Sequence, residues 1–177
     1  DFNSSVITYG SAPALLIQAD PSANLVLGGL SDGVATGYGL HVRGSVNAFG
    51  IYEGFSATAI RLVGDGGGST VDTSAGIAID GAVLAGAVEA DAYGLHIGQN
   101  VIVPNLLVRE SLTGASSGDL ATTGYGIFID AGADVASFEN TGVVAASFYG
   151  EVGDAVALVD QSNTLATITN SGSIRAQ

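Results

Sequence analysis

The sequence has 177 residues, enough for one domain with a continuous buried core, and it combines 12% charged residues with 27 glycines and three prolines. Its formal net charge is −13, with four arginines and no lysine, which argues strongly against nucleic-acid binding and against binding to anionic membrane surfaces. Cysteine is absent, which excludes disulfides and thiol chemistry, and no apolar run approaches the roughly 18 residues of a spanning helix.

Residues 1–36 carry little repeated pattern. Two short apolar runs, at 14–17 and 24–27, have the composition of strands. We predict that this region is an N-terminal lead-in or cap segment for the structure that follows.

A recurring motif begins in residues 37–91. The segment 38–42, Tyr-Gly-Leu-His-Val, is followed by shorter echoes at 59–62 and 76–79. The motif starts at Gly39, Ala59, Gly76 and Gly94 are 20, 17 and 18 residues apart. This spacing predicts solenoid coils of short period across residues 37–91.

Residues 92–177 repeat a unit of about 30 residues three times. A shift of 32 positions carries the segment 93–97 onto 125–129 without a gap. The third copy begins near residue 155 and brings Asn170 to the position of Asn140. Stacked turn asparagines hydrogen-bond along a solenoid axis, so this pair indicates coils in register.

Each unit contains two or three short runs of alternating apolar residues, separated by Gly, Asn, Asp or Ser, which is the pattern of half-buried strands. Such short strands bury enough apolar surface only when equivalent strands of successive units stack about 4.8 Å apart. The sequence therefore predicts an all-β fold, a right-handed parallel β-helix (β-solenoid) forming a single continuous domain. An antiparallel sandwich or barrel is the alternative, because it also uses Gly-rich turns.

The segments 92–98, 124–147 and 154–177 resemble the passenger-domain repeats of bacterial autotransporters, the type V secretion proteins. The resemblance extends loosely over residues 37–91. It implies a β-helix carried to the bacterial cell surface by a C-terminal membrane barrel of the precursor, outside this chain. It also implies a secreted, surface-exposed structural or adhesive module. Its expected partner is a cell-surface protein or glycan, or another copy through the solenoid ends.

The two histidines, His41 and His96, fall at the same position of the repeated motif, between its apolar residues. Alternation places them on the outer face of the solenoid. Phe128 and Arg61 fill the same position elsewhere, so the fold does not demand imidazole there. We therefore expect solvated surface histidines with no metal or acid–base role.

Residues 114–118 read Gly-Ala-Ser-Ser-Gly, the pattern of a nucleophile elbow. That motif requires a strand before the serine and a helix after it. The segment 113–123 instead has the composition of a polar linker, so we interpret the match as coincidental.

Several carboxylates are candidates for sugar hydrolysis or calcium binding. The groups are Asp65 with Asp72, Asp80 with Glu89 and Asp91, and Asp130 with Asp134. The cations available beside them are Arg43, Arg61, Arg109 and Arg175. Aspartate is also the ordinary residue of turns, and the Gly-rich segment 64–68 is not repeated as a calcium nonapeptide would be.

Tyr38, Tyr93 and Tyr125 each precede the glycine of a motif, which predicts a stacked tyrosine ladder between coils, a feature that could also hold sugars. We predict no catalytic, cofactor-binding or metal-binding residue and no enzyme activity. A carbohydrate-active enzyme on the same fold and a calcium-stabilised surface-coat module are the alternatives.

Overall fold

The computed structural model describes residues 4–31 and 37–177, in which the chain forms twenty β-strands and no helix. The strands belong to four sheets. Sheet 1 contains β1 (Ser5–Tyr9), β5 (Ser45–Gly50), β9 (Ala82–Val88), β13 (Ser111–Ser117), β17 (Val143–Tyr149) and β20 (Ser173–Ala176). Sheet 2 contains β2 (Leu15–Gln18), β6 (Ala57–Val63), β10 (Ala92–Ile97), β14 (Thr123–Ile129) and β18 (Asp154–Asp160).

The other two sheets are built from shorter strands. Sheet 3 contains β3 (Leu25–Val26), β7 (Val71–Asp72), β11 (Val101–Val103) and β15 (Asp134–Val135). Sheet 4 contains β4 (Leu40–Val42), β8 (Ile77–Ile79), β12 (Leu106–Val108), β16 (Ser137–Asn140) and β19 (Thr167–Asn170).

The chain visits sheets 1 to 4 in order and then returns to sheet 1, so each of the first four coils adds one strand to each sheet. After these coils, the chain passes from β17 and β18 directly to β19 of sheet 4 and then to β20 of sheet 1. Every pairing between these named strands is parallel. Within the described residues, antiparallel pairing is confined to an isolated bridge between Asp20 and Ala23. The predicted parallel β-solenoid is confirmed, and the antiparallel sandwich or barrel is excluded.

The core runs along the axis of the solenoid. Alternate residues of each strand point inward, so register partners such as Ile60, Leu95 and Ile127 stack as a fully buried column. Burying a side chain of this size contributes about 1.5–3 kcal/mol. The inward columns, repeated in all four sheets, therefore hold the coils together.

The C-terminal repeat is confirmed residue by residue. Tyr93 pairs with Tyr125 and Leu106 with Phe138, both at the predicted shift of 32 residues. Asn140 donates a hydrogen bond from Nδ2 to Oδ1 of Asn170 at 2.8 Å, as expected for stacked asparagines.

The short period predicted for residues 37–91 is wrong. Leu40 pairs with Ile77, 37 residues later, and Ala57 pairs with Ala92, 35 residues later. The motif starts used for that prediction, such as Gly39 and Ala59, lead into strands of different sheets. A run of alternating residues looks the same in every sheet, so the echoes fall alternately at strands of sheet 4 and sheet 2, about half a coil apart.

Both apolar runs of the N-terminal segment form strands, β2 and β3, which pair with β6 and β7. Together with β1 and β4 they make the first coil of the same stack. The prediction of a lead-in or cap segment also covers residues 1–3 and 32–36, which lie outside the described residues.

Candidate recognition surface

Four aromatic side chains form a compact cluster on the outer face of sheet 2. They are Tyr93 and His96 of β10, and Tyr125 and Phe128 of β14, and we call them the aromatic platform. The Tyr93 and Tyr125 rings stack with centroids 4.9 Å apart, and Tyr93 also stacks on His96 at 5.1 Å. Phe128 meets Tyr125 edge-on at 5.0 Å. All four side chains remain partly exposed, so the platform faces solvent.

The register of the two strands creates this platform. Tyr93 lies directly beside Tyr125, and His96 directly beside Phe128. Ring centroids 4.5–7 Å apart stabilise aromatic pairs beyond the area they bury. The ring positions are therefore fixed by sheet pairing and by each other before any ligand arrives.

Two carboxylates hold the polar ends of the platform. Asp91 accepts a hydrogen bond from the Tyr93 hydroxyl at 3.1 Å and another from the Thr123 backbone N–H at 2.8 Å. Asp130 is hydrogen-bonded to Nε2 of His96 at 2.9 Å. Burial among the rings, with a further effect of the Asp91 charge, raises the pKa of Tyr93 well above its ordinary value. Its hydroxyl therefore stays protonated at neutral pH.

The arrangement suits a ligand with both an apolar face and hydroxyl groups. A sugar ring has C–H groups that pack on aromatic rings and hydroxyls that donate to carboxylate oxygens. Rings and carboxylates stand side by side along β10 and β14, with a separation fixed by the sheet.

His41 does not occupy the position of His96, contrary to the prediction. His41 belongs to sheet 4 and pairs with Ala78, whereas His96 belongs to sheet 2. The expectation of solvated histidines is wrong for His41, whose side chain is 2% exposed, whereas His96 lies on the outer face with its side chain 14% exposed. Each is hydrogen-bonded to an aspartate of the next coil.

The two His–Asp contacts share one local geometry. Nε2 of His41 lies 2.7 Å from Oδ2 of Asp80. The register partner of His41 is Ala78, and Asp80 follows Ala78 by two residues. Asp130 likewise follows Phe128, the register partner of His96, by two residues. Both aspartates stand just beyond a strand end, where the turn directs the carboxylate back over the preceding coil.

Asp80 also accepts two hydrogen bonds from Arg109, one from Nε at 2.5 Å and one from Nη2 at 2.8 Å. The Arg109 guanidinium lowers the pKa of Asp80, with a smaller effect of His41 in the same direction. Tyr38 lies near this group, 6.0 Å from the Arg109 guanidinium, and not on sheet 2. The predicted ladder of three tyrosines is therefore a pair, Tyr93 and Tyr125.

The segment 113–123 is not a linker. Ser116 lies within β13 and is buried, and its Oγ donates a hydrogen bond to the Ala90 carbonyl at 2.7 Å. Its other partner is the Thr122 hydroxyl at 2.8 Å. The serine is used to satisfy backbone and hydroxyl groups inside a corner of the solenoid. Coincidence remains our interpretation of the nucleophile-elbow pattern.

Two of the other candidate acids, Asp65 and Asp72, serve turns, and Asp134 lies in β15. Asp65 Oδ2 accepts the Gly67 N–H at 2.6 Å, and Asp72 Oδ1 accepts the Ser74 N–H at 2.7 Å. In the part of the chain that the structure describes, no three His, Cys, Asp or Glu side chains are grouped as a metal site requires.

Sequence reasoning missed the His41–Asp80 and His96–Asp130 pairs, and also the contact of Arg109 with Asp80. The sequence contains a signal for such pairs. Once the register is known, an aspartate two positions after the residue that pairs with a histidine lies within hydrogen-bonding distance of that histidine. Only the second pair could have been found this way, because the true register of residues 37–91 was not recognised.

No protein-family model matches the chain, and no curated protein or solved structure compared with it shows significant similarity. Within residues 4–31 and 37–177, no helix has the length and apolar character needed to cross a membrane.

Proposed function

We propose that the chain is a structural and adhesive module of an exported bacterial protein, exposed at the cell surface. In this proposal the solenoid is a rigid support, and the aromatic platform binds a glycan. The observation that carries the proposal is the platform itself: four partly exposed rings on two registered strands, with the Asp91 and Asp130 carboxylates beside them.

The physical argument for binding is preorganisation. A ligand that orders flexible side chains loses part of its binding energy to their lost rotamer freedom. Tyr93 and Tyr125 are already held by stacking, and Tyr93 by a hydrogen bond to Asp91. A sugar that covers these rings therefore encounters a surface that needs little rearrangement.

Surface display is supported by the resemblance of residues 92–177 to autotransporter passenger repeats and by composition. A net charge of −13 keeps a solenoid with exposed apolar groups soluble and disfavours its association with anionic membranes.

A glycan array probed with the 177-residue chain tests the proposal. The informative variant is Tyr125→Thr with Phe128→Thr, which removes half of the platform and keeps β-branched residues on β14. The matched control is Val156→Thr with Val159→Thr, because these residues are the register partners of Tyr125 and Phe128 on β18. We expect binding about tenfold weaker for the platform variant and within about twofold of wild type for the control.

Two results would count against this function. One is an array without binding, and the other is binding that the platform variant leaves unchanged while circular dichroism shows both proteins folded. Product analysis of each bound glycan separates binding from catalysis. Shortened or unsaturated products would favour the carbohydrate-active enzyme over the adhesive module.

A further inference from the structure

A cavity of about 260 Å³ opens on the outer face of sheet 1, away from the aromatic platform. It lies where the strands of sheet 1 end and the chain turns toward sheet 2. We call the four turns at this place, residues 51–56, 89–91, 118–122 and 150–153, the corner turns.

The cavity exists because small residues meet at one register. Gly86 of β9 pairs with Ala115 of β13, and both positions point outward. On one side stands Phe49 of β5, the other register partner of Gly86. On the other side stands Tyr149, two coils away from Gly86. The outer face therefore sinks between two aromatic rings, and Ile51 and Val88 close its end.

The rim of the cavity is unusually apolar for a surface. Tyr9 is 68% exposed and stacks on Phe49, with centroids 5.9 Å apart. Tyr149 is 65% exposed, and Tyr52 and Phe55 of the first corner turn are also exposed. Contiguous exposed apolar groups on a protein surface mark interaction sites.

Each corner turn carries a carboxylate within two residues of the cavity lining, and the turn 89–91 also contains Asp91, which is hydrogen-bonded in the aromatic platform. The four are Glu53, Glu89, Asp119 and Glu151. Each of them comes one or two positions after a residue that lines the cavity. These lining residues are Ile51, Val88, Ser117 and Tyr149. None of the four arginines of the chain lies in a corner turn. With coils about 4.8 Å apart, four carboxylates span roughly 14 Å along the axis.

We infer that this corner binds a basic segment of a partner protein that inserts one large apolar side chain, best an aromatic one, into the cavity. The segment lies along the solenoid axis, and its lysines or arginines face the carboxylates of the corner turns. The inference is independent of glycan binding, because neither the residues that line the cavity nor Glu53, Glu89, Asp119 and Glu151 belong to the aromatic platform or its two carboxylates.

Cavity size and charge both select this occupant. Pockets for whole small-molecule ligands occupy about 300–1,000 Å³, so a cavity below that range fits a single side chain better. Buried aromatic anchors surrounded by polar contacts dominate the affinity of protein interfaces. A row of carboxylates steers cationic partners and repels anionic ones. An acidic glycan or an anionic lipid surface is therefore disfavoured.

A fluorescence titration with the 177-residue chain tests the inference directly, because the chain contains no tryptophan. The probe is the peptide Lys-Lys-Trp-Lys-Lys, and its control has serine in place of tryptophan. We expect a blue shift of the indole emission on binding, affinity that falls as salt is raised, and binding of the serine peptide about tenfold weaker.

Substitutions on the outward positions of β13 supply the matched pair of variants. Ala115→Leu fills the cavity without touching the core and should weaken binding of the tryptophan peptide about tenfold. Thr113→Leu adds an apolar side chain at the outward position two residues earlier and should change affinity by less than about twofold. Glu53→Gln with Glu151→Gln should weaken binding and flatten its salt dependence.

Three outcomes would overturn the inference: an emission that does not shift, Ala115→Leu binding as wild type does, or N-acetyltryptophanamide binding as tightly as the peptide. The last result would mean that the corner takes small aromatic molecules and that the carboxylates contribute nothing. Far-UV circular dichroism of each variant identifies losses caused by misfolding, and Thr113→Leu controls for added hydrophobicity.

Discussion

Asp80 joins three consecutive coils through one carboxylate. It follows β8, accepts one hydrogen bond from Nε2 of His41 of the preceding coil, and accepts hydrogen bonds from Nε and Nη2 of Arg109 of the next coil. Two-point contacts between a carboxylate and a guanidinium fix geometry as well as energy. Because the Arg109 side chain is 41% exposed, solvent screening reduces the energy of this pair.

The Asp80 pKa gives this group a pH-dependent effect on stability. Its folded-state pKa is lowered by Arg109 and by His41, so the stabilisation is present above the unfolded-state pKa and is lost as pH falls through the folded-state pKa. We expect Arg109→Gln to lower the free energy of unfolding by about 1 kcal/mol at about pH 7. The difference from wild type should shrink toward zero at about pH 2.

Urea denaturation at both pH values measures this effect, with Arg175→Gln of β20 as the control for loss of one positive charge. The control should not reproduce the pH dependence, because Arg175 lies outside the Asp80 group. A difference that stays constant between the two pH values would show that Arg109 acts through packing alone.

Asn140 is fully buried and donates to Asn170 at 2.8 Å and to the Ser173 carbonyl at 3.1 Å. Asn140→Ala leaves that carbonyl without its side-chain donor and opens a cavity, so we expect a loss of about 1–3 kcal/mol. Asn140→Val should cost less, because Val108 occupies the register-equivalent position of the preceding coil. Chemical denaturation checks the order, and a valine variant less stable than the alanine variant would contradict it.

The asparagine pair was predictable from sequence, and the His41–Asp80 pair was not. Asn140 and Asn170 lie in nearly identical segments, so their alignment needed no knowledge of turn lengths. His41 and Asp80 are 39 residues apart in a coil whose turns are longer than those of the C-terminal half. Side-chain pairs between coils can be located only once the register is known.

At the scale of the strand, alternation and turn residues were sufficient to predict that strands form, but not which sheet each strand joins. The segments 38–42 and 93–97 are nearly identical in sequence, yet the first ends in β4 of sheet 4 and the second forms β10 of sheet 2. Period-2 burial imposes the same pattern on every side of a solenoid. Sheet membership depends on the number of residues in the intervening turns.

Two glycines of sheet 1 differ in what an added side chain would meet, because Gly114 faces the backbone of β14 and Gly86 faces outward beside the Phe49 ring. A Cβ at Gly114 would lie 1.9 Å from the Tyr125 carbonyl oxygen, whereas a Cβ at Gly86 would lie 3.5 Å from the Phe49 ring. We expect Gly114→Ala to destabilise the protein by about 2–3 kcal/mol, because the backbone of β14 must move. Gly86→Ala should be neutral or stabilise by up to about 1 kcal/mol.

Thermal and chemical unfolding of the two variants measures this difference. They make a matched pair, because each adds one methyl group in the middle of a strand of sheet 1. Equal effects would show that loss of glycine flexibility in the unfolded chain decides both outcomes and that close backbone approach at Gly114 does not.

At the scale of the whole molecule, the solenoid predicted from residues 92–177 extends through the described part of the chain with unequal coils. Successive register partners are 37 residues apart from β4 to β8 and 32 from β10 to β14. The stack tolerates this variation because added residues lie in turns, outside the inward columns. Architecture was therefore predictable from one regular half, whereas the coil lengths of the N-terminal half were not.

Each coil of the stack contacts only its neighbouring coils, so the free energy of local unfolding should differ from coil to coil. Strands β10 and β14 are each paired on both sides, while β19 and β20 are paired on one side within this chain. The side chains of β19 are all exposed. Because an amide exchanges when its local unit opens, we expect protection to fall from the central coils toward the C-terminal one.

Hydrogen exchange followed by mass spectrometry measures this gradient under native conditions. Peptides covering β10 and β14 should exchange only through global unfolding, with rates that track the denaturant-derived stability. Peptides covering β19 and β20 should exchange at least about tenfold faster, and Asn140→Ala should widen the gap by weakening the contact with the last coil. Equal protection along the chain would show a single cooperative unit in place of a series of coupled coils.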